Sequence, residues 1–97
     1  MAASTGRKSS VGTTAVQLIS TATPISYNVT IKAAAANTGK VYVGTSSAVT
    51  ADGADGTDGI ELSAGEAITL PKAFASDASS IYLIASASSQ KVFFVVC

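Results

Sequence analysis

From Tyr27 to Ser46 the chain reads YNVTIKAAAANTGKVYVGTS, and this stretch limits the possible fold more than any other. Two alternating runs stand on either side of the turn tripeptide Asn37-Thr38-Gly39. Tyr27, Val29, Ile31 and Ala33 fall on one side of a pleat and Asn28, Thr30 and Lys32 on the other, the period of two that a half-buried strand requires. Val41 and Val43 resume the pattern after the turn. Ala33 to Ala36 has good helix propensity, but Asn37 and Gly39 stop it after too few residues for a stable helix, so a strand end followed by a turn is expected. Taken alone, the segment is a hairpin signal.

Similar runs predict strands at 15–20, 26–34, 40–45, 59–62, 66–70, 80–87 and 91–96. Pro24 and Pro71 fall at strand margins, where a missing N–H costs a ladder nothing. Ser63-Ala64-Gly65 and Ser88-Ser89-Gln90 read as the turns joining the strand pairs on either side of them. No segment holds the i, i+3, i+4, i+7 pattern of an amphipathic helix beyond a turn or two. Short strands at this spacing predict an all-β fold, a small antiparallel β-sandwich occupying residues 14–97 as one domain. Residues 1–13 are small and polar with no period, and read as an extended N-terminal arm.

The last two strands break the alternation. In Ile81-Tyr82-Leu83-Ile84-Ala85 and Val92-Phe93-Phe94-Val95-Val96 both faces of the pleat are apolar, so something must cover the second face. Two readings stand. These are central strands lying beneath a loop or the arm, or Tyr82, Ile84, Phe93 and Val95 face another subunit; in either case Val92 and Phe94 point inward.

Composition favours assembly. Charged residues make up 12% of the chain, against about 25% in ordinary soluble domains. Large side chains are few, with three Phe, three Tyr and no Trp, so the core must be thin. A chain of 97 residues buries only about two thirds of the surface it exposes when unfolded, and a partner subunit would add to its stability. Six basic and six acidic residues cancel, leaving no long-range field toward nucleic acid or an anionic membrane. Arg7 and Lys8 are the one basic pair; they read as a solvated tail in preference to a nucleic-acid contact, and as candidates for contact with a neighbouring subunit.

Catalytic chemistry has little to work with. The chain has no histidine, which removes Ser-His and Cys-His pairs and zinc triads of the usual kind. Neither GxGxxG nor GxxxxGK[ST] occurs. Glu61 and Glu66 flank a turn, with no cleft implied. The acidic loop Asp52-Gly53-Ala54-Asp55-Gly56-Thr57-Asp58-Gly59 repeats its carboxylates every third residue, unlike an EF-hand, and Asp-Gly is a common turn dipeptide; a surface loop is expected, not a Ca²⁺ site. The single cysteine, Cys97, can form no intrachain disulfide. Asn28-Val29-Thr30 matches a glycosylation sequon by chance. No apolar run has the length of a membrane span, and the N-terminus lacks the apolar stretch of a secretory signal, so synthesis in the cytoplasm is expected. No catalytic residue, cofactor or metal is therefore expected.

Three stretches carry a family resemblance: Ile31-Lys32-Ala33-Ala34-Ala35-Ala36-Asn37-Thr38-Gly39-Lys40-Val41-Tyr42-Val43-Gly44, Gly59-Ile60-Glu61-Leu62-Ser63-Ala64-Gly65-Glu66-Ala67-Ile68-Thr69-Leu70, and Ile81-Tyr82-Leu83-Ile84-Ala85-Ser86-Ala87. Over residues 15–97 the chain resembles small virion structural proteins of tailed bacteriophages. The resemblance implies a compact β-sandwich, jelly-roll-like, that decorates or cements the outside of the capsid. It implies the major capsid protein as partner, a homo-oligomer with a trimer favoured, and no contact with nucleic acid or membrane. Residues 1–14 lie outside it, and the 46–58 loop has no counterpart in the pattern. Neck, tail or fibre proteins are the second expectation. A carbohydrate-binding sandwich is the third and weakest, with Tyr42 as its best exposed aromatic.

Overall fold

The structure, a computed structural model, describes residues 4–51 and 59–97. Among these residues the strands are β1 (Ser4–Val11), β2 (Val16–Gln17), β3 (Asn28–Ala33), β4 (Val41–Gly44), β5 (Ile60–Leu62), β6 (Ala67–Pro71), β7 (Tyr82–Ala85) and β8 (Gln90–Val96), with a 3₁₀ turn at Ala78–Ser80. They form two antiparallel four-stranded sheets, sheet A in the order β1-β8-β3-β6 and sheet B in the order β2-β7-β4-β5. Four of the pairs, β1·β8, β2·β7, β3·β6 and β4·β5, are the rungs of one long hairpin whose tip is the β4–β5 connection. The pairs β8·β3 and β7·β4 roll that hairpin into two facing sheets. This strand order is a jelly roll.

The expected turns lie between the strands they were expected to separate, but none of the three makes a hairpin. Asn37-Thr38-Gly39 links β3 in sheet A to β4 in sheet B, Ser63-Ala64-Gly65 links β5 in sheet B to β6 in sheet A, and Ser88-Ser89 links β7 in sheet B to β8 in sheet A. Only β4 and β5 are neighbours both in sequence and in a sheet. Turn chemistry marks where the chain reverses; it carries no information about which edge the next strand joins.

The Asn37 turn shows what holds such a crossover. The Asn37 side chain acts as one more peptide unit of the sheet: its Nδ2 donates to the Lys91 carbonyl at 2.9 Å and its Oδ1 accepts from the Lys91 N–H at 2.9 Å. Gln90, at 2% exposure the one buried polar side chain among the described residues, accepts from the Gly39 N–H at 2.9 Å and donates to Thr38 Oγ1 and the Ser88 carbonyl. Leaving such a group unpaired would cost about 1–3 kcal/mol, and here both ends of the amide are satisfied. Two crossovers are thus pinned together at one end of the sandwich.

The core follows the alternation. Val29, Ile31 and Ala33 of β3, Val41 and Val43 of β4, Leu83 and Ala85 of β7, and Val92 and Val96 of β8 are buried, with Phe94 packed against them. Thr30 and Lys32 point the other way. Tyr27, expected on the core side, is 74% exposed, because β3 begins only at Asn28 and the pleat does not extend to it.

The N-terminal segment is a second correction. In its described part it is not an arm set apart from the domain: β1 lies along β8, with Ser4 opposite Val96 through Lys8 opposite Val92. The register then shifts between Lys8 and Val11, where Ser10 takes a positive φ of 61°, and Val11 enters the core with no exposed surface. Its polar sequence hid the strand because an edge strand is held by backbone pairing, and polar or charged edge residues discourage pairing with further chains.

At the opposite end, Asp77 caps the 3₁₀ turn. Its Oδ1 accepts from the Thr23 N–H at 2.9 Å, the Ser79 N–H at 2.8 Å and the Ser79 hydroxyl at 2.8 Å, tying the β2–β3 connection to the segment before β7. The Thr23 amide first, then the two Ser79 groups, hold the carboxyl below its ordinary pKa of 3.8.

Val11→Ala is expected to lower unfolding stability by about 1.5–3 kcal/mol, and deletion of residues 2–11 to abolish cooperative unfolding, as read by urea denaturation; a freely removable arm would leave both unchanged. Because the folded carboxyl of Asp77 is the stronger acid, its stabilisation is complete above the unfolded value of 3.8 and is lost as pH falls through the lower folded value. The stability gap between wild type and Asp77→Asn should therefore stay at its full width from neutrality down to pH 3.8 and narrow below it, measured by urea denaturation in a pH series.

Candidate functional site

The outward faces of the two sheets differ. On sheet B, Tyr42 lies opposite Ile84 and Gly44 opposite Tyr82. The chain after β4 folds back over this face. The Val49 side chain stands so close to Gly44 that a Cβ there would meet Val49 Cγ2 at 2.6 Å, and Val49 itself is buried. Ile84 is 9% exposed, and what remains open beside it is a crevice of about 350 Å³ bordered by Thr13, Thr50 and Ser86. The Tyr42 hydroxyl donates to Glu61 at 3.1 Å, and Lys40 makes an ion pair with the same carboxylate at 3.1 Å. That pair, exposed on both sides, is screened by water and adds little stability, although Glu61 does hold the Lys40 ammonium above its ordinary pKa.

Sheet A has no such cover among the described residues. Opposed residues in antiparallel strands share a face, so the register gives two rows across the sheet. One is Arg7, Phe93, Lys32 and Ala67; the other is Thr5, Val95, Thr30 and Thr69. Phe93 is 44% and Val95 37% exposed although both sit on a central strand. They line an open groove of about 750 Å³. The Thr30 and Thr69 hydroxyls bond to each other at 3.0 Å, using up polar capacity on that side. Beneath the face, the Phe94 ring fills the place a side chain at Gly6 would need: a Cβ there would meet Phe94 Cζ at 2.6 Å. Glycine at that position lets β1 lie flat over the ring.

Phe93 therefore has a cationic residue on each side. Neighbouring strands lie about 4.8 Å apart, within reach of a cation–π contact for Arg or Lys beside an aromatic face. Neither Arg7 nor Lys32 has an ion pair among the described residues. No carboxylate stands in either row; Glu66, just before β6, is turned back to accept from the Ser63 N–H at 2.7 Å.

Of the residues expected at an interface, the structure gathers Arg7, Phe93 and Val95 on this face. Lys8 is half-buried on the inward side of β1, opposite Val92. Tyr82 is half-buried and Ile84 buried, both in the other sheet, so the covering loop expected for one of the two-sided strands belongs to β7 and not to β8. Arg7, Phe93 and Val95 are joined by Lys32 and Thr30, residues the sequence placed on a face free for contact without naming them as interface candidates. Their outward orientation was legible in β3, but the register that sets Lys32 beside Phe93 was not. Tyr42 is half-buried and engaged with Glu61, which removes it as the exposed aromatic. The acidic run 52–58 lies outside the described residues; among those described, no three metal-ligating side chains cluster.

No family model, curated protein or solved structure matches the chain.

Phe93→Ser combined with Val95→Thr should leave unfolding stability within about 1 kcal/mol of wild type, since both side chains are already partly in water. It should also reduce the fluorescence of an apolar dye such as ANS bound to the native protein. A large loss of stability would mean that the face is covered in solution.

Proposed function

We propose that this chain is a virion structural protein of a tailed bacteriophage, a capsid decoration or cement protein that binds on the outside of the head between major capsid subunits. The observation that carries this reading is the apolar face of sheet A, uncovered among the described residues, on a small, weakly charged jelly roll whose other sheet is covered by its own loop. Jelly rolls serve capsids, lectins and cupins alike, so the strand order supports the reading without selecting it. The face adds a docking surface, and the sequence resemblance adds the kind of partner.

In this reading the protein acts by contact alone. It spans joints in the shell and contributes many weak interactions that oppose internal pressure. A trimer engaging three equivalent sites gains effective concentration with no stronger individual contact. Burial against the shell also offsets the modest core of a chain this short. It is not an enzyme and takes no cofactor.

Purified protein added to expanded, decoration-free heads should bind at many symmetry-equivalent positions and raise the temperature at which the heads release DNA, seen by cryo-electron microscopy and a dye-release assay. No binding would overturn the proposal, and binding confined to the portal vertex would reassign the protein to the neck or tail.

A further inference from the structure

We infer that the segment seated on sheet A is an acidic, apolar stretch of the capsid shell, with carboxylates flanking an apolar side chain. This specifies the partner chemistry of the decoration reading and rests on it for the identity of that partner. Any surface that covers Phe93 also strips water from Arg7 on one side and Lys32 on the other, because both stand directly opposite it in the register. Lys91, exposed two residues before Phe93 on the same side of β8, adds a third cation to the margin. A partner without carboxylates would leave these charges buried and unpaired, which costs more than the apolar contact returns.

The chain cannot supply the carboxylates at this face from its described residues. Glu61 is on sheet B with Lys40, Glu66 is turned to the Ser63 amide, and Asp77 caps the 3₁₀ turn at the Thr23 end. A second copy docking by a two-fold axis would set Arg7 and Lys32 against the same cations, since such an interface presents one patch to itself. Nucleic acid fits less well, because the one exposed aromatic and three cations described on this face, in a chain of zero net charge, lack the stacking series and basic stripe such sites use.

The test uses the full chain in two assays. In the first, wild type, R7E/K32E and the control K72E, changed at an exposed lysine outside both rows, are titrated on to decoration-free heads at low and high salt. Wild-type occupancy should fall with salt, R7E/K32E should bind at least roughly tenfold more weakly, and K72E should match wild type. In the second, fluorescence anisotropy compares a labelled peptide alternating Glu and Val with its Gln-for-Glu counterpart. Wild type should prefer the Glu peptide, and R7E/K32E should lose that preference. If wild type binds heads and R7E/K32E binds them equally, the inference fails while the decoration reading stands. If heads are not bound, the decoration reading fails, and the peptide pair decides the chemistry of the face by itself: equal affinity for both peptides overturns it. Wild-type self-association abolished by F93S in sedimentation velocity, or capture of a labelled oligonucleotide that R7E/K32E does not capture, would overturn it by giving the face to another occupant. Circular dichroism and melting of each variant confirm that it is folded.

Discussion

Val92, Phe94 and Val96 enter the core from the middle of sheet A, and the same pleat throws Phe93 and Val95 out on the other side. The position of β8 between β1 and β3 makes both consequences unavoidable. Its backbone is paired along both edges, so the strand cannot rotate to hide its outward side chains without breaking two ladders at once. The core, the edge strand at the N-terminus and the open apolar face all depend on that one strand being central.

The ends of the sandwich are closed by different means. At one end, two side-chain amides, Asn37 and Gln90, substitute for missing backbone partners and lock crossovers from separate sheets to each other. At the other, one carboxylate gathers three donors, and the peptide N–H groups of Ser26 and Tyr27 converge on the Cys97 carbonyl. The first arrangement carries no charge and is insensitive to pH; the second weakens when Asp77 is protonated. A thin aliphatic core, whose largest fully buried side chains are Ile and Leu, leaves these end contacts a substantial share in specifying the roll.

The difference between the two outer faces has a local cause. After β4 the chain has a long connection to β5, and Gly44 offers a site without a side chain on which Val49 can rest, so sheet B covers itself. Sheet A is flanked by β1, whose side chains beside Phe93 are polar or cationic, and among the described residues no comparable segment reaches over it. Two strands that look alike in sequence, apolar on both faces, therefore end in opposite circumstances.

Local periodicity was enough to place β2 to β8 and to sort the inward residues of β3, β4 and β8, because alternation records which side of a pleat meets the core wherever a strand is half-buried. Turn residues also marked the reversals at Asn37, Gly65 and Ser88. Periodicity failed where its premise failed: at Tyr27, which precedes its strand, and at β1, where one buried residue, Val11, anchors a segment otherwise held by backbone hydrogen bonds that leave no trace in side-chain pattern. Which strands pair, whether a turn is a hairpin or a crossover, and that Arg7, Phe93 and Lys32 share one row were decided only by the tertiary structure. Those relations join residues far apart in the chain through ladders whose register is set by the packing of the whole sandwich.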